Sequence, residues 1–195
     1  RALEQLGFGR SQLDEDKEII AAAFARFADE VVAPLAEKIH RHDLTVPEEI
    51  LAPLREMGCF GLSVPERYGG SSPDSGEDHL AMVVVTEELS RASLAAAGSL
   101  ITRPEIMAKA IYHGGTEAQR AAWLPGIANG DPLCGIAITE PDAGSDVAAM
   151  RFKATRADGG WLLNGAKTWS TFAGKSGILL VLARTDPDPF APARA

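Results

Sequence analysis

The chain has 195 residues, 46% hydrophobic and 24% charged, a composition typical of a globular protein with one medium or two small domains. Its formal net charge of −8 argues against nucleic acid as the main partner, because phosphate binding requires clustered Lys and Arg. No apolar run reaches the roughly 18–20 residues that span a bilayer, so no membrane partner is predicted.

The cysteines and the N-terminal sequence indicate the compartment. Cys59 and Cys134 are far apart, lack metal-ligand spacing and lie in apolar surroundings. The chain begins at Arg1 without a basic and then apolar leader, so no secretory signal is visible. We therefore predict two buried free thiols, no metal site and a reducing compartment, assigned as the cytoplasm.

The N-terminal part of the chain is predicted to be helical. Apolar residues recur at three- and four-residue spacings from Leu13 to about His40, which indicates an amphipathic helix. Asp14 is expected to cap this helix, and Pro34 is expected to kink it. The apolar stripe consists of Ile19, Ile20, Phe24, Phe27, Val31, Val32 and Leu35.

Four further helices are predicted before the sequence pattern changes. Pro47 fits the first turn of a short helix, and Gly58 closes it just beyond its end. The segment from Cys59 to Gly70 is predicted to be a loop. The four helices are expected at 47–57, 77–97, 104–112 and 116–124.

Short strands are predicted beyond Asn129-Gly130-Asp131. Asp158-Gly159-Gly160 predicts a turn between two strands, and Asn164-Gly165 predicts a tight hairpin turn. The fold class is α+β, with an all-α domain over 1–130 and the start of a β domain over 131–195. A few short strands make only a marginal core, so we expect the β portion to be incomplete. The strands are expected at 134–139, 150–155, 161–163, 167–171 and 178–183.

Three separated segments carry most of the functional information. They are Val64-Pro65-Glu66-Arg67-Tyr68-Gly69-Gly70, Ile138-Thr139-Glu140-Pro141-Asp142-Ala143-Gly144-Ser145-Asp146, and Asn164-Gly165-Ala166-Lys167-Thr168-Trp169-Ser170-Thr171. We call these segments the first, second and third motif. In composition and order they resemble motifs of acyl-CoA dehydrogenases, and the resemblance covers essentially the whole chain. It implies a helical N-terminal domain and a β-barrel-like middle domain, with the family's C-terminal helical domain absent from this chain.

The resemblance implies that the strand leading into the second motif binds the edge of FAD. A flavin ring has a polar edge that needs hydrogen-bond partners and flat faces that need an apolar wall. Backbone groups around Ile136, Ala137 and Ile138 and the hydroxyl of Thr139 would face the pyrimidine edge of that ring.

The loop that follows is expected to lie near the phosphates of the cofactor. Ala143 and Gly144 would let the backbone approach closely, and Ser145 would reach the pyrophosphate or the bound thioester ligand. Asp142 stands where the family pattern allows Gly, Asn or Asp. It tolerates a left-handed turn but adds negative charge near the expected phosphates.

By resemblance, the third motif would contact the ring itself through Trp169, Ser170 and Thr171. Trp169 would cover one face of the flavin, and Thr171 would donate toward N5, the hydride-accepting atom. Ser170 and Phe172 differ from the commoner Ile and Asn of the family pattern, which puts the fine detail of the pocket in question. The alternative is that Trp169 and Thr171 simply occupy positions in a β-sheet.

Arg103 is a candidate substrate residue. It lies where the family's helical domain approaches the acyl chain, and Ala95, Ala96 and Ala97 before it would leave room. An Arg facing this cavity could pair with a carboxylate at the far end of the substrate. With the similarity of residues 169–174 to methylsuccinyl-CoA dehydrogenases, this favours a short dicarboxylic acyl-CoA such as methylsuccinyl-CoA. The alternative is an exposed Arg beside a helix start.

The reaction implied by the resemblance is FAD-dependent α,β-dehydrogenation of an acyl-CoA thioester. Electrons would pass to electron-transfer flavoprotein, and the assembly would be a homodimer or homotetramer. The base in this family is usually a Glu of the C-terminal domain, so no residue of this chain is assigned as catalytic. Two alternatives stay open: an acyl-CoA oxidase or flavin-dependent monooxygenase of the same fold, and a non-enzymatic helical interaction module.

Overall fold

The computed structural model describes residues 13–74, 78–186 and 188. The chain divides into two compact units, one ending at Gly130 and the other beginning at Asp131. The first unit is helical and the second contains the strands, which confirms the predicted α+β class. Among the described residues, no helix is both long and apolar enough to cross a membrane.

The predicted N-terminal helix consists of two α-helices joined by a π-helical turn. Helix α1 spans Glu15–Phe27, the π-helical turn spans Ala28–Val32, and helix α2 spans Ala33–Arg41. Asp14 caps α1, since its side chain accepts a backbone N–H from the first turn. Pro34 lies in the first turn of α2, where its missing N–H is tolerated. The proline therefore directly follows the π-helical turn, and the kink expected at Pro34 stays a prediction.

The buried face of this helix differs in part from the predicted stripe. Ala21, Phe24, Ala28 and Val32 are buried at three- and four-residue spacings, which keeps them on one side. Ile19 is 62% exposed, so its predicted place in the stripe is wrong. It precedes Ala21 by two residues, a spacing that turns its side chain to the opposite side of an α-helix.

The four other predicted helices are present, three with shifted ends and one interrupted. The helix predicted over 77–97 breaks at Ser93, whose extended backbone and side-chain hydroxyl cap a separate π-helical turn, Leu94–Gly98. Residue 77 itself lies outside the described residues. Thr116 and Gln119 form a capping box at the start of the last helix. The helices are α3 (Glu48–Glu56), α4 (His79–Ser93), α5 (Thr102–Gly114) and α6 (Glu117–Ala128).

The first motif folds into a compact loop of the helical unit. The backbone N–H of Ser72 donates to the carbonyl of Val64 over 3.0 Å, which closes the loop on itself. The Tyr68 hydroxyl donates to Glu117 Oε1 over 2.7 Å and so connects the loop to the start of α6. Gly70 lies directly against Val64, where a β-carbon would overlap the Val64 carbonyl oxygen. The motif therefore has a packing role within this unit.

The β unit contains two pairs of strands. Strand β1 pairs with β4 in parallel, with Cys134 opposite Ile178, and β2 pairs with β3 in antiparallel fashion. The β2–β3 hairpin turns at Asp158-Gly159, which confirms the turn predicted there. Arg184 connects the hairpin to the segment after β4, because its carbonyl accepts the N–H of Ala154 over 2.9 Å. The strands are β1 (Cys134–Ala137), β2 (Lys153–Ala157), β3 (Gly160–Asn164) and β4 (Ile178–Val181).

Two predictions for the region after β3 are wrong. Asn164-Gly165 is not a hairpin turn, since Gly165 adopts a φ of +135° against Phe152 and the chain leaves the hairpin there. Residues 167–171 form no strand. Trp169 and Phe172 have φ angles of +58° and +66°, values outside the β region. The alternative that Trp169 and Thr171 occupy a β-sheet is therefore also wrong.

The contact between Gly70 and Val64 predicts that Gly70→Ala destabilises the helical unit by about 2 kcal/mol or more, because a β-carbon would overlap backbone atoms. The free energy of unfolding in denaturant measures this loss. Gly114→Ala is the matched control, since a β-carbon there meets nothing within 4 Å. Equal stabilities of the two variants would contradict the packing role of Gly70.

Candidate cofactor site in the β unit

The end of β1 lies beside the third motif. The backbone N–H of Thr168 donates to the carbonyl of Thr139 over 2.9 Å. One residue earlier on both segments, Lys167 Nζ donates to the carbonyl of Ile138 over 2.8 Å. These two bonds bring together the second and third motifs.

A buried carboxylate accepts three hydrogen bonds at this junction. Glu140 Oε2 accepts the backbone N–H of Arg151 over 2.7 Å, and Oε1 accepts that of Phe152 over 2.9 Å. Lys167 Nζ also donates to Oε1 over 2.9 Å. The side chains of Glu140 and Lys167 are each 7% exposed, so this ion pair is almost completely shielded from water.

The environment of Glu140 keeps it ionised. Burial opposes ionisation, but the Arg151 amide, the Lys167 ammonium and the Phe152 amide together lower the pKa of Glu140 to about 2. Sequence reasoning did not single out this pair, although both residues lie in the quoted motifs. A signal was present in the sequence, because Glu140 directly follows one strand-like apolar segment and Lys167 begins another.

The four residues at the end of β1 differ in burial. Ala137 is buried, while Ile136, Ile138 and Thr139 are half-buried. Within the part of the chain that the structure describes, the N–H groups of Ile138 and Thr139 donate to no backbone carbonyl. The strand end therefore offers two backbone donors and the Thr139 hydroxyl to a polar ligand.

The loop after β1 is a tight turn with an open outer side. Glu140 and Ala143 exchange backbone hydrogen bonds of 2.8 and 3.3 Å, and Ala143 is buried. Gly144 and Ser145 are exposed, and nothing lies within 4 Å of a β-carbon placed on Gly144. A ligand can therefore approach the backbone closely at this point.

The negative charge of Asp142 has a nearby counter-charge. Arg151 Nη1 lies 3.8 Å from Asp142 Oδ2, and both side chains are about four-fifths exposed, at 81% and 78%. Exposed pairs of this kind contribute little to stability. The positive charge of Arg151 does, however, offset the negative charge of Asp142 where the cofactor phosphates are expected.

Trp169 is the most exposed of the large hydrophobic residues in the described part of the chain, at 86%. Trp169 and Phe172 both have a left-handed backbone, which is unusual for bulky residues. Such strained conformations are often found at ligand sites. The N–H of Thr171 donates to the Trp169 carbonyl over 3.0 Å, while Ser170 between them is half-buried. The indole thus presents a flat apolar face that the β unit leaves uncovered.

Arg103 lies in the helical unit, in the first turn of α5. It is half-buried and donates through Nη1 to the carbonyl of Ser99, so it is not the fully exposed residue of the alternative interpretation. Burial lowers the pKa of its guanidinium.

Both cysteines are buried free thiols, as predicted. Burial raises the pKa of Cys134 to about 11 and raises that of Cys59 further, so neither is a reactive thiolate. No group of His, Cys, Asp and Glu in the described ranges has a geometry suited to a metal ion.

Two family models match consecutive parts of the chain. Residues 14–131 match the acyl-CoA dehydrogenase N-terminal domain, and residues 135–194 match the acyl-CoA dehydrogenase middle domain. The chain belongs to the acyl-CoA dehydrogenase family. Members of this family are flavoprotein oxidoreductases that act on acyl-CoA substrates.

Several members of the acyl-CoA dehydrogenase family are similar to this chain over most of its length. The (2S)-methylsuccinyl-CoA dehydrogenase of Cereibacter sphaeroides is 48% identical over 179 residues, covering 92% of this chain and 32% of that protein. A glutaryl-coenzyme A dehydrogenase solved with glutaryl-CoA has a TM-score of 0.82 and 34% identity, covering 91% of this chain and 45% of its own. Glutaryl-CoA dehydrogenase from Mycobacterium smegmatis, solved with FADH2, has a TM-score of 0.79 and 31% identity, covering 89% of this chain and 44% of its own. The chain spans about a third to just under half the length of these relatives.

The lowered pKa of Glu140 predicts how stability depends on pH. The unfolded state binds this proton first as pH falls, because the folded-state pKa of about 2 lies below the usual 4.5. The contribution of the ion pair is therefore complete above about pH 5 and is lost as pH falls through about 2.

Glu140→Gln should lower the free energy of unfolding by about 3 kcal/mol near neutral pH, because Lys167 then lacks its buried counter-charge. Denaturant unfolding of wild type and variant should be measured between about pH 7 and pH 2. The difference between their free energies of unfolding should become smaller as the pH falls. Glu37→Gln, in the exposed pair with Arg41, is the control with almost no effect. A loss of unfolding free energy in Glu140→Gln that does not change with pH would contradict the lowered pKa of Glu140.

Proposed function

We propose that the full-length protein catalyses FAD-dependent α,β-dehydrogenation of an acyl-CoA thioester. The observation that carries the proposal is the junction of the second and third motifs. Two hydrogen bonds, from Thr168 to Thr139 and from Lys167 to Ile138, place a polar strand end beside the segment that exposes Trp169. A polar edge next to an uncovered aromatic face is the pair of surfaces that a flavin requires.

The residues at this junction have the chemistry to hold FAD. The N–H groups of Ile138 and Thr139 and the Thr139 hydroxyl are donors for the pyrimidine edge, assisted by the backbone of Ile136. The Ala137 carbonyl accepts the N–H of Leu182 over 3.1 Å beside β4, so Ala137 contributes by fixing the strand. Trp169 covers one ring face, with Ser170 and Thr171 beside it. When bound, FAD supplies the two-electron oxidation that amino-acid side chains cannot supply.

The loop beyond the strand end is proposed to hold the phosphates or the thioester. Gly144 permits close backbone approach, Ser145 adds a hydroxyl donor, and Arg151 offsets the charge of Asp142. The protein's contribution in this region is to bind and orient the two ligands.

For the substrate, we propose a short dicarboxylic acyl-CoA, such as methylsuccinyl-CoA, whose distal carboxylate pairs with Arg103. A half-buried guanidinium is a stronger partner for a carboxylate than an exposed one, because water competes less. The names of the methylsuccinyl-CoA and glutaryl-CoA dehydrogenases support this choice, since both acyl groups carry a second carboxylate.

Three parts of the proposal remain. Electron-transfer flavoprotein as the electron acceptor and a homodimer or homotetramer as the assembly rest on the family resemblance. The cytoplasm as the compartment rests on the two buried free thiols, which suit a reducing environment. Stopped-flow oxidation of the reduced full-length protein by oxygen tests the acceptor. Slow oxidation is expected, whereas fast oxidation would favour an oxidase or a monooxygenase.

The exposed indole predicts that Trp169→Ala in the full-length protein weakens FAD binding about tenfold, because one ring face loses its aromatic cover. The dissociation constant of FAD from the apoprotein measures the effect. Trp161→Ala is the matched control, since this Trp on β3 is 52% exposed and stacks with Arg156. Equal effects of the two substitutions would contradict the assignment of Trp169.

The proposed role of Arg103 predicts a loss of substrate discrimination. Arg103→Ala should lower kcat/KM for a dicarboxylic acyl-CoA by about tenfold or more and leave that for a plain acyl-CoA of equal length nearly unchanged. Steady-state kinetics with both substrates measures the ratio. Arg41→Ala, in the exposed pair with Glu37, should leave the ratio unchanged. An unaltered ratio in Arg103→Ala would exclude this role.

A further inference from the structure

Lys167 is held in three directions within the β unit. Its ammonium donates to the Ile138 carbonyl over 2.8 Å and to Glu140 Oε1 over 2.9 Å. It also lies 5.2 Å from the centre of the Phe152 ring, a cation–π distance. Because Glu140 is itself held by the backbone amides of Arg151 and Phe152, the position of the ammonium is set by a rigid frame.

The bond from Lys167 determines how one peptide group is oriented. The Ile138 carbonyl belongs to the same planar peptide as the N–H of Thr139, and in a trans peptide the two groups point in opposite directions. Lys167 therefore turns the Thr139 N–H away from itself. The Thr168 N–H holds the next carbonyl, that of Thr139, so the peptides on both sides of Thr139 are fixed.

A purely stabilising role does not require this arrangement. A buried ion pair is often no more stable than apolar residues of the same volume, because desolvation offsets the attraction. An apolar pair, however, supplies no donor to hold the Ile138 carbonyl. Replacement of the ion pair by apolar residues would therefore remove the hydrogen bond that orients this peptide.

We propose that Lys167, held by Glu140, is a positioning residue that orients the Ile138–Thr139 peptide so that its N–H faces the polar edge of the flavin. This inference rests on the proposed function, because it assumes that FAD binds at the strand end. If Lys167 has this role, the Thr139 N–H is a hydrogen-bond donor held in a fixed direction toward the pyrimidine edge of the ring.

The test compares FAD binding by three full-length apoproteins: wild type, Lys167→Met and Lys17→Met. Lys167→Met should raise the dissociation constant of FAD about tenfold or more and alter the fine structure of the bound flavin's visible band. Lys17→Met is the matched control. Lys17 forms a 2.8 Å ion pair with Asp78 in the helical unit, with its side chain 14% exposed. This control should leave both the dissociation constant and the band unchanged.

The outcomes separate this inference from the proposed function. A wild-type protein that binds no FAD would overturn the proposed function itself. A wild type that binds FAD, with the same dissociation constant and band in Lys167→Met, would overturn only the positioning role. Equal weakening by Lys17→Met and Lys167→Met would also overturn it, because general destabilisation would then explain both.

A second variant keeps the test decisive if Lys167→Met does not fold. Glu140→Gln leaves the Lys167 side chain in place but removes the charge that holds it. The FAD dissociation constant should then rise severalfold, with a smaller change in the visible band than Lys167→Met is expected to cause. Wild-type values for both quantities in a folded Glu140→Gln protein would contradict the inference.

Discussion

The arrangement of the β unit depends on a charged pair that is shielded from water. Glu140 and Lys167 are separated by 27 residues in sequence, and each side chain is 7% exposed. Isolated charges at such a place would be strongly unfavourable, but two backbone amides and a carbonyl complete their hydrogen bonding. The pair therefore brings the end of β1 and the third motif to one point and holds them there.

The three motifs divide into one with a packing role and two that form the proposed cofactor site. The first motif closes a loop of the helical unit, where Gly70 lies against Val64 and Tyr68 bonds to Glu117. The other two meet in the β unit and present backbone donors and an uncovered indole. Similarity to the family is thus distributed over residues with different physical roles, and only the second and third motifs contribute to the proposed cofactor site.

Helices were predicted better than the region around the site. Buried positions such as Phe24 and Val32 repeat at helical spacing, a local pattern that can be read along the chain. Ile19 fits the same pattern by composition but lies on the opposite side of α1. Asn164-Gly165 has the composition of a hairpin turn, yet contact with Phe152 directs the chain elsewhere, so tertiary packing overrides the local preference.

Local spacing and the three ordered motifs were enough to predict the α+β class, the helices, the Asp158-Gly159 turn and the family. Contacts in the folded chain were needed to reveal the parallel pairing of β1 with β4, the left-handed backbone of Trp169 and the pairing of Glu140 with Lys167. These features arise from contacts between residues far apart in sequence. No local periodicity encodes which distant partner a buried charge or a strand edge will find.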